Sequence, residues 1–453
     1  MAALDSIQQR LEDMDFEATF APSRDGDDRK LLDLVFIQDA TGSQGAYISS
    51  ATKNIEEISN AIFASGKLYY PDDLRIGLIA FRDHPPQDHT YVTQNFGFSS
   101  DIKKVHADLK TLYASGGGDG PEAITAALGE ALNMEWRPKA SKMIVLIADA
   151  PPHGIGEYGD GFDDGSPDGL DPLQIAREMA ARGITLFFVA CEPALSGYVN
   201  ATDFYQALTG ITSGLMLPLT TANLLAHAII GSVLENLDME RLITEVGQAV
   251  ASRILGGNES VDDVARELHE RLLLRNENTQ KVVVENIYRE SEESKHNVKI
   301  WSEAPDIKSA RPHLLRIRGS RFTEKYLNTR YYSGSRSSSS SIYPPIPPRS
   351  PTFKSTSPSR KVVTDFAAYR GQPVAHSMFG SAASAQPTFG SPKGRTSFGR
   401  MRGASMDEEV EEDTTTDDEP KEPVQRIGMA EGAITLEQAR RITLQSAWRG
   451  TRM

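Results

Sequence analysis

The sequence predicts an α/β fold in which a doubly wound, mostly parallel sheet is covered by helices on both faces. Short apolar runs recur along the first half of the chain, as in LDLVFIQD, LRIGLIAF and MIVLIAD. Segments in which apolar residues recur at helical spacing separate these runs. Runs that are apolar almost throughout are typical of strands buried on both faces, and helices between them favour parallel pairing.

Six strands are predicted from this pattern. The first, fourth and fifth are continuous apolar runs, whereas YVTQNF alternates in polarity and indicates an edge strand. GLMLPL is the last and weakest of the six. In chain order the predicted strands cover residues 31–39, 74–81, 91–96, 143–149, 184–191 and 214–219.

Helices are predicted between and after these strands. In the first, Ile48, Ile55 and Ile62 mark one apolar face and Gly66 ends the helix. Proline at position 121 or 172 suits the first turn of a helix. The segment 281–288 fits either a strand or a helix. The predicted helices cover residues 45–64, 102–112, 121–134, 171–183, 224–234, 239–255 and 260–275.

The composition divides the chain into five parts. Residues 1–28 form an N-terminal helical extension, 29–236 the α/β domain, and 237–330 a mostly helical extension. Residues 331–430 are a Ser/Pro-rich and acidic tail, which we expect to be disordered because it has little apolar surface to bury. Residues 431–453 form a short C-terminal helix, which Thr435 and Gln438 begin with a capping box.

Charge is unevenly distributed along the chain, whose formal net charge is −14. Residues 308–402 contain 17 Lys and Arg against two acidic residues. A basic segment of this kind binds nucleic acid, an anionic membrane or an acidic partner in some proteins. Its Ser/Pro-rich composition favours a disordered linker instead, so nucleic acid is not the partner we expect.

The sequence predicts an intracellular protein. Cys191 is the single cysteine, so no disulfide forms within the chain, and its apolar neighbours predict a buried thiol. The polar N-terminus does not resemble a signal peptide, and no apolar run reaches the roughly 18 residues of a membrane span. We expect a cytoplasmic location, with the nucleus as the alternative.

Oxygen-bearing side chains follow the first predicted strand at a spacing of two. Asp39, Thr41 and Ser43 come directly after it, in the turn that leads to the first helix. Such a turn lies at the carboxyl edge of the sheet, where open α/β sheets bind ligands. One carboxylate and two hydroxyls suit a hard divalent cation, Mg²⁺ or Mn²⁺.

Two further carboxylates are predicted at the same edge. Asp119 follows three glycines and precedes a predicted helix, and Asp149 is the last residue of a predicted strand. The carboxyl ends of parallel strands share one edge, so these side chains converge with the first group. The predicted metal ligands are Asp39, Thr41, Ser43, Asp119 and Asp149.

These motifs together resemble the metal-ion-dependent adhesion site of von Willebrand factor type A domains. The resemblance covers about residues 30–235 and rests on DATGS, GGGDGPEA and LIADAPP. That family usually has Asp-x-Ser-x-Ser, then a Thr, then an Asp. Thr41 replaces the first Ser here, and Asp119 stands at or near the place of the distant Thr. FRDH and the loop that begins HGIGEYGD are similar to type A domains found beside α-type protein kinase domains.

The resemblance implies binding of a protein partner whose Asp or Glu completes the coordination of the metal. No kinase domain is recognised after residue 240, and no nucleophile–base pair or phosphate-cradling loop indicates an enzyme. We therefore predict a scaffold or binding module. Two alternatives remain open: a metal-dependent enzyme or kinase-associated regulator, and a basic tail that binds nucleic acid or an anionic membrane.

The remaining motifs are shorter. The loop 160–171 contains five Asp residues without the order of an EF-hand, so we expect a solvated acidic loop. Histidines 84, 89 and 153 lack metal-binding spacing and are interpreted as loop residues. PPIPPR (Pro344 to Arg349) matches a ligand for an SH3-type groove. Ser357 and the threonines 414–416 match short phosphorylation patterns.

Overall fold

The computed structural model describes residues 29–332 and 425–451. Several predictions therefore lie outside the described residues. They are the N-terminal helix within residues 1–28, the SH3-type motif at 344–349, and the phosphorylation patterns at Ser357 and 414–416. The disordered tail predicted for residues 331–430 also lies mostly outside them.

A six-stranded sheet forms the centre of the described part of the chain. Its spatial order is β3-β2-β1-β4-β5-β6, and every neighbouring pair is parallel except β2 with β3. The predicted doubly wound, mostly parallel sheet is confirmed, and the strand predicted at an edge is the edge strand β3. The strands are β1 (Leu32–Asp39), β2 (Leu74–Phe81), β3 (Thr93–Ser99), β4 (Ser141–Ala148), β5 (Ile184–Cys191) and β6 (Met216–Leu219).

Helices cover both faces of the sheet. The first eight are α1 (Gly45–Ala64), α2 (Ile102–Thr111), α3 (Ile124–Leu132), α4 (Pro172–Ala181), α5 (Ala201–Ile211), α6 (Leu225–Leu255), α7 (Val261–Leu274) and α8 (Glu292–Glu303). The others are α9 (Ile307–Ala310), α10 (Glu324–Tyr332) and α11 (Leu436–Gly450). Within the described ranges, no helix is both long and apolar enough to span a membrane.

Side chains of β1 alternate between two cores. Leu34 and Phe36 pack with α1, α2 and the first half of α6, whereas Val35 and Ile37 pack with α3, α4 and α5. This alternation is the two-residue period of a strand buried on both faces. Cys191 lies in the first of these cores as a buried thiol, as predicted.

The chain reverses its direction of winding between β1 and β4. From β1 it proceeds to β2 on one side, and later returns to β4 on the other side. The carboxyl ends of β1 and β4 therefore flank a topological switch point, the place where open α/β sheets leave a crevice.

The elements that follow the sheet in sequence form a smaller packed group beside α6. The strand β7 (Asn278–Val284) pairs antiparallel with β8 (Ile427–Ala433), and α11 packs against α6 and α7. The ambiguous segment 281–288 thus begins as a strand. The capping box predicted at Thr435 and Gln438 is present at the start of α11. Residues 427–430, predicted as part of the disordered tail, belong to β8 instead.

Two differences from the sequence prediction concern helices. The helix α5 was not predicted. The two helices predicted at 224–234 and 239–255 are one continuous helix of 31 residues, α6. The domain boundary expected between residues 236 and 237 consequently falls inside a helix.

Candidate metal centre

The first carboxylate of the candidate site is Asp39, the last residue of β1. Its side chain is fully buried, and Oδ1 accepts hydrogen bonds from the Thr41 amide (2.8 Å) and hydroxyl (2.7 Å). The other oxygen, Oδ2, is buried without a hydrogen-bond partner. Burial and the nearby Asp149 raise the pKa of Asp39 from 3.8 to about 8. The turn therefore holds the carboxylate in place while leaving one oxygen unsatisfied.

Asp149 follows β4 directly and faces Asp39 across the switch point. Burial raises its pKa, although the side chains of Ser43 and Gln44 hydrogen-bond to it and act in the opposite direction. Ser43 is exposed and Asp149 is half-buried, so this side of the site is open to solvent. The structure thus brings four of the five predicted ligands together: Asp39, Thr41, Ser43 and Asp149.

The glycine-rich loop before α3 is bonded to the turns around it. The Gly42 amide donates to the Gly116 carbonyl (3.3 Å), and the Glu122 amide donates to the Pro151 carbonyl (2.9 Å). Gly117 has a φ of +83°, and a Cβ there would lie 2.8 Å from Glu122 Oε1 and 3.4 Å from the Thr41 Cβ. Only glycine fits this left-handed, close approach, which presses the loop onto the site.

Glu122 is a further carboxylate at this edge, and the sequence prediction missed it. It is only 6% exposed, and its Oε2 atom has no hydrogen-bond partner. Burial raises its pKa to about 10, and the charged groups that raise it further are all carboxylates: Asp39, Asp83, Asp119 and Asp149. A carboxylate held in this way is costly unless a proton or a cation neutralises it.

Asp119 lies beside a different set of residues from the one predicted. One of its oxygens accepts from the Gly161 amide and the other from the Gly120 amide (3.0 Å). Ligand atoms of Asp119, Asp83 and His153 lie within 4.8 Å of one another. Asp119 therefore belongs to a neighbouring cluster. Glu122 lies between this cluster and the pair Asp39 and Asp149, since carboxylates of both groups raise its pKa.

His153 is buried between two carboxylates rather than being a simple loop histidine. Its Nε2 atom lies 2.7 Å from Asp83 Oδ1, and its Nδ1 atom lies 2.7 Å from Asp160 Oδ1. Although burial lowers it, these two contacts raise the pKa of His153 to about 9 overall. When the ring is protonated, both nitrogens donate hydrogen bonds. The imidazolium in the turn after β4 then bonds to Asp83, which follows β2, and to Asp160 of the acidic loop.

The acidic loop is partly structural, in contrast to the solvated loop predicted. Asp160 is held by His153 and by the amides of Gly154 (2.7 Å) and Phe162 (2.8 Å). Asp171 caps α4 by accepting from the Leu173 amide (2.9 Å), and its second oxygen accepts from Ile307. Sequence spacing gave no sign of the partners His153 and Ile307, because both lie outside the loop.

Comparison with known proteins identifies the sheet domain. The family model described as von Willebrand factor type A domain matches residues 33–215. A putative ariadne-like RING finger protein of Acanthamoeba polyphaga mimivirus is 29% identical over 204 residues, which are 44% of this chain and 19% of that protein. The alpha-protein kinase vwkA of Dictyostelium discoideum is 28% identical over 180 residues, which are 39% of this chain and 27% of the kinase.

These two relatives are much longer than the stretch they share with this chain, which spans about a fifth and about a quarter of their lengths. Solved structures with a similar fold include the pilus adhesin SpaC from Lactobacillus rhamnosus GG (TM-score 0.35, 13% identity, 47% of this chain and 30% of that one). Another is the SpRpn10 VWA domain (TM-score 0.31, 11% identity, 44% of this chain and 95% of that one). The expected resemblance to type A domains, including one from an alpha-type kinase, is confirmed.

Proposed function

Since residues 33–215 are a von Willebrand factor type A domain, we propose that this chain is a divalent-metal-dependent protein-binding module. Type A domains are generally interaction modules, and their metal site commonly binds a carboxylate of the partner. Here Asp39, Ser43 and Asp149 would hold Mg²⁺ or Mn²⁺, with Thr41 orienting Asp39 through its hydroxyl. An acidic side chain of the partner would complete the coordination.

The observation that supports this proposal is a pair of buried carboxyl oxygens without hydrogen-bond partners at the switch point. Asp39 is fully buried with a free Oδ2 atom, and Glu122 is buried beside it with a free Oε2 atom. Buried polar atoms without partners are rare in folded proteins, and each costs about 1–3 kcal/mol or more when charged. An ion that prefers carboxylate and hydroxyl oxygens would remove this cost, so the donor set fits a hard divalent cation.

The open side of the site supports the second half of the proposal. Ser43 is exposed and Asp149 is half-buried, so a partner can reach the ion from solvent. Mg²⁺ demands near-octahedral coordination and readily keeps water ligands, which leaves positions for an incoming carboxylate. A metal is needed for this contact because the surrounding carboxylates would otherwise repel an acidic partner.

Calorimetric titration of the full chain with Mg²⁺ and Mn²⁺ tests the metal site. We expect binding by the wild type and loss of it in Asp39→Asn, which keeps the size of the side chain. Asp72→Asn is the matched control, since Asp72 is an exposed aspartate near the amino end of β2. Equal binding by wild type and Asp39→Asn would contradict the proposed site.

Partner capture tests the proposed function itself. Immobilised wild-type protein should retain a set of proteins in Mg²⁺ and release it in a chelator, whereas Asp39→Asn should retain none of that set. Circular dichroism and a thermal melt confirm that the variant is folded. An identical, chelator-sensitive set on the variant would overturn the role given to Asp39.

A further inference from the structure

A second cluster of metal-binding side chains lies beside the switch-point site. Asp83 follows β2 by two residues, Asp119 is in the glycine-rich loop, and His153 is in the turn after β4. One ligand atom from each lies within 4.8 Å of the other two. Asp83 is fully buried, His153 is 1% exposed and Asp119 is half-buried, so the cluster has one accessible side.

The Asp83 carboxylate has one oxygen that nothing satisfies. Its Oδ1 atom accepts from the His84 amide (2.6 Å) and lies 2.7 Å from His153 Nε2. Its Oδ2 atom is buried and has no hydrogen-bond partner. The Oε2 atom of Glu122 also lacks a hydrogen-bond partner, and the charges of Asp83 and Asp119 add to the effect of burial in raising the pKa of Glu122. Three carboxylates therefore converge where His153 supplies at most one positive charge.

His153 is oriented as metal-binding histidines usually are. Such a residue donates one ring N–H to a carboxylate, which fixes the ring and directs the other nitrogen to the ion. Here Asp160 faces Nδ1 at 2.7 Å and is itself held by the amides of Gly154 and Phe162. The Phe162 ring packs edge-on against the imidazole at 4.9 Å between centroids. Nε2 is thereby directed at Asp83.

We propose that this cluster binds a divalent transition-metal ion, with His153 Nε2, Asp83 and Asp119 as ligands and Asp160 as the orienting carboxylate. The site is separate from the one at Asp39 and does not depend on the proposed function. An imidazole nitrogen with carboxylate oxygens suits Zn²⁺, Co²⁺ or Mn²⁺, whereas Mg²⁺ prefers oxygen ligands alone. The ion takes the place of the proton on Nε2.

Only a small movement is needed to admit the ion. Ligand atoms about 2.0–2.1 Å from a tetrahedral Zn²⁺ lie roughly 3.3 Å apart. The contact between His153 Nε2 and Asp83 Oδ1, now 2.7 Å, thus opens by roughly half an ångström. Asp119 moves inward from the half-buried loop in which two glycine amides hold it. The fourth position is left for water or for a partner's side chain.

Cobalt titration in the presence of saturating Mg²⁺ tests the proposal on untagged full-length chain. Mg²⁺ occupies the oxygen-only site, so a visible Co²⁺ absorption band and a calorimetric Zn²⁺ isotherm report the cluster that contains histidine. We expect one equivalent to bind in the wild type. His153→Gln and Asp119→Asn should each weaken binding at least tenfold, whereas Asp39→Asn should bind Co²⁺ as the wild type does.

The variants separate the two sites and guard against misfolding. Asp119 is half-buried, so Asp119→Asn should keep the wild-type thermal melt even if His153→Gln does not. No Co²⁺ or Zn²⁺ uptake by the wild type, or wild-type affinity in Asp119→Asn, would overturn the proposal. Loss of Co²⁺ uptake in Asp39→Asn would also overturn it, because the ion would then belong to the switch-point site. Failure of Mg²⁺ binding alone would affect only the proposed function.

Discussion

At the scale of single residues, Glu122 is a buried carboxyl whose ionisation is strongly disfavoured at the edge of the sheet. Its pKa rises from 4.5 to about 10 because it is buried among carboxylates. Between those two values the folded state holds a proton that the unfolded state has lost. Stability of the metal-free protein therefore falls as the pH rises through this window.

Glu122→Gln should stabilise the chelated protein near neutral pH and above. The amide keeps the shape of the side chain and removes the charge, so we expect a gain on the order of a few kcal/mol in the free energy of unfolding at about pH 8. Urea denaturation in EDTA measures it. Glu57→Gln, an exposed change on α1, is the control and should alter the stability by less than about 0.5 kcal/mol. A destabilised Glu122→Gln would mean that the carboxylate is satisfied in some other way.

The sequence predicted the switch-point residues because their positions depend only on strand ends. Asp39 ends β1 and Asp149 directly follows β4, and the parallel order of these strands brings the two residues together. Asp83, Glu122 and His153 were missed as candidate ligands because their roles depend on how three turns pack. Glu122 points into the site only because Gly117 allows the loop to approach, and no sequence spacing reports this contact.

At the scale of elements, β2 and β5 have the bounds that the sequence predicted, since each is an apolar run within polar or glycine residues. The helix α5 was missed because it is buried on nearly every side. Asp203 is buried in it together with Phe204, Tyr205 and Leu208. The polar residues Thr202 and Thr209 are buried in it as well, and such residues interrupt the apolar pattern by which helices are recognised in a sequence.

The polar stretch 235–238, which separates the two helices predicted within α6, has partners distant in sequence. Glu235 accepts from the Val282 amide (2.8 Å) and forms an ion pair with Arg441 of α11. Asn236 donates to the Ser141 hydroxyl (3.1 Å). Because these polar side chains are buried and bonded, the helix continues through residues that read as a boundary in the sequence.

Arg441→Ala should strongly destabilise the chain. The Arg441 and Glu235 side chains are 7% and 1% exposed, so the change leaves a buried carboxylate without its partner. Removing one member of a buried pair typically costs about 3–5 kcal/mol, as chemical denaturation will measure. Arg440→Ala is the neighbouring control, because its pair with Asp262 is exposed and contributes at most about 1 kcal/mol.

A double variant isolates the charge from the packing. Arg441→Leu combined with Glu235→Gln removes both charges, so its loss of stability should be smaller than that of Arg441→Ala. A loss of less than about 1 kcal/mol in Arg441→Ala would show that α11 does not hold Glu235 in the folded chain.

At the scale of the whole molecule, residues 425–451 complete the unit begun by residues 29–332. Both ranges fall in one compact unit, in which β8 pairs with β7 and α11 packs on α6. The Gln425 side chain also donates to the carbonyl of Pro218 in β6 (2.6 Å). Sequence patterns identified α11 but not its packing, since a pairing between strands so distant along the chain leaves no local pattern. Experiments on the proposed metal site therefore use the full chain.

Metal loading should change how the whole molecule responds to pH. The pKa of Asp39 rises from 3.8 to about 8 and that of Glu122 from 4.5 to about 10. Near pH 5 both carboxyls hold protons in the folded state, whereas near pH 8 about half of the Asp39 carboxyls have lost theirs and can bind Mg²⁺. At a concentration 100 times its Kd, the ion stabilises the folded state by about 2.7 kcal/mol. The stabilisation by Mg²⁺ should thus be large near pH 8 and small near pH 5.

Thermal melts of the wild type and Asp39→Asn, with Mg²⁺ or EDTA at both pH values, measure this effect. In EDTA the wild type should melt at a lower temperature near pH 8 than near pH 5, and Mg²⁺ should reverse that order. Asp39→Asn should depend less on pH in EDTA and should gain nothing from Mg²⁺. An equal gain from Mg²⁺ at both pH values would mean that the ion binds away from Asp39 and Glu122, because binding to these carboxyls requires the loss of their protons.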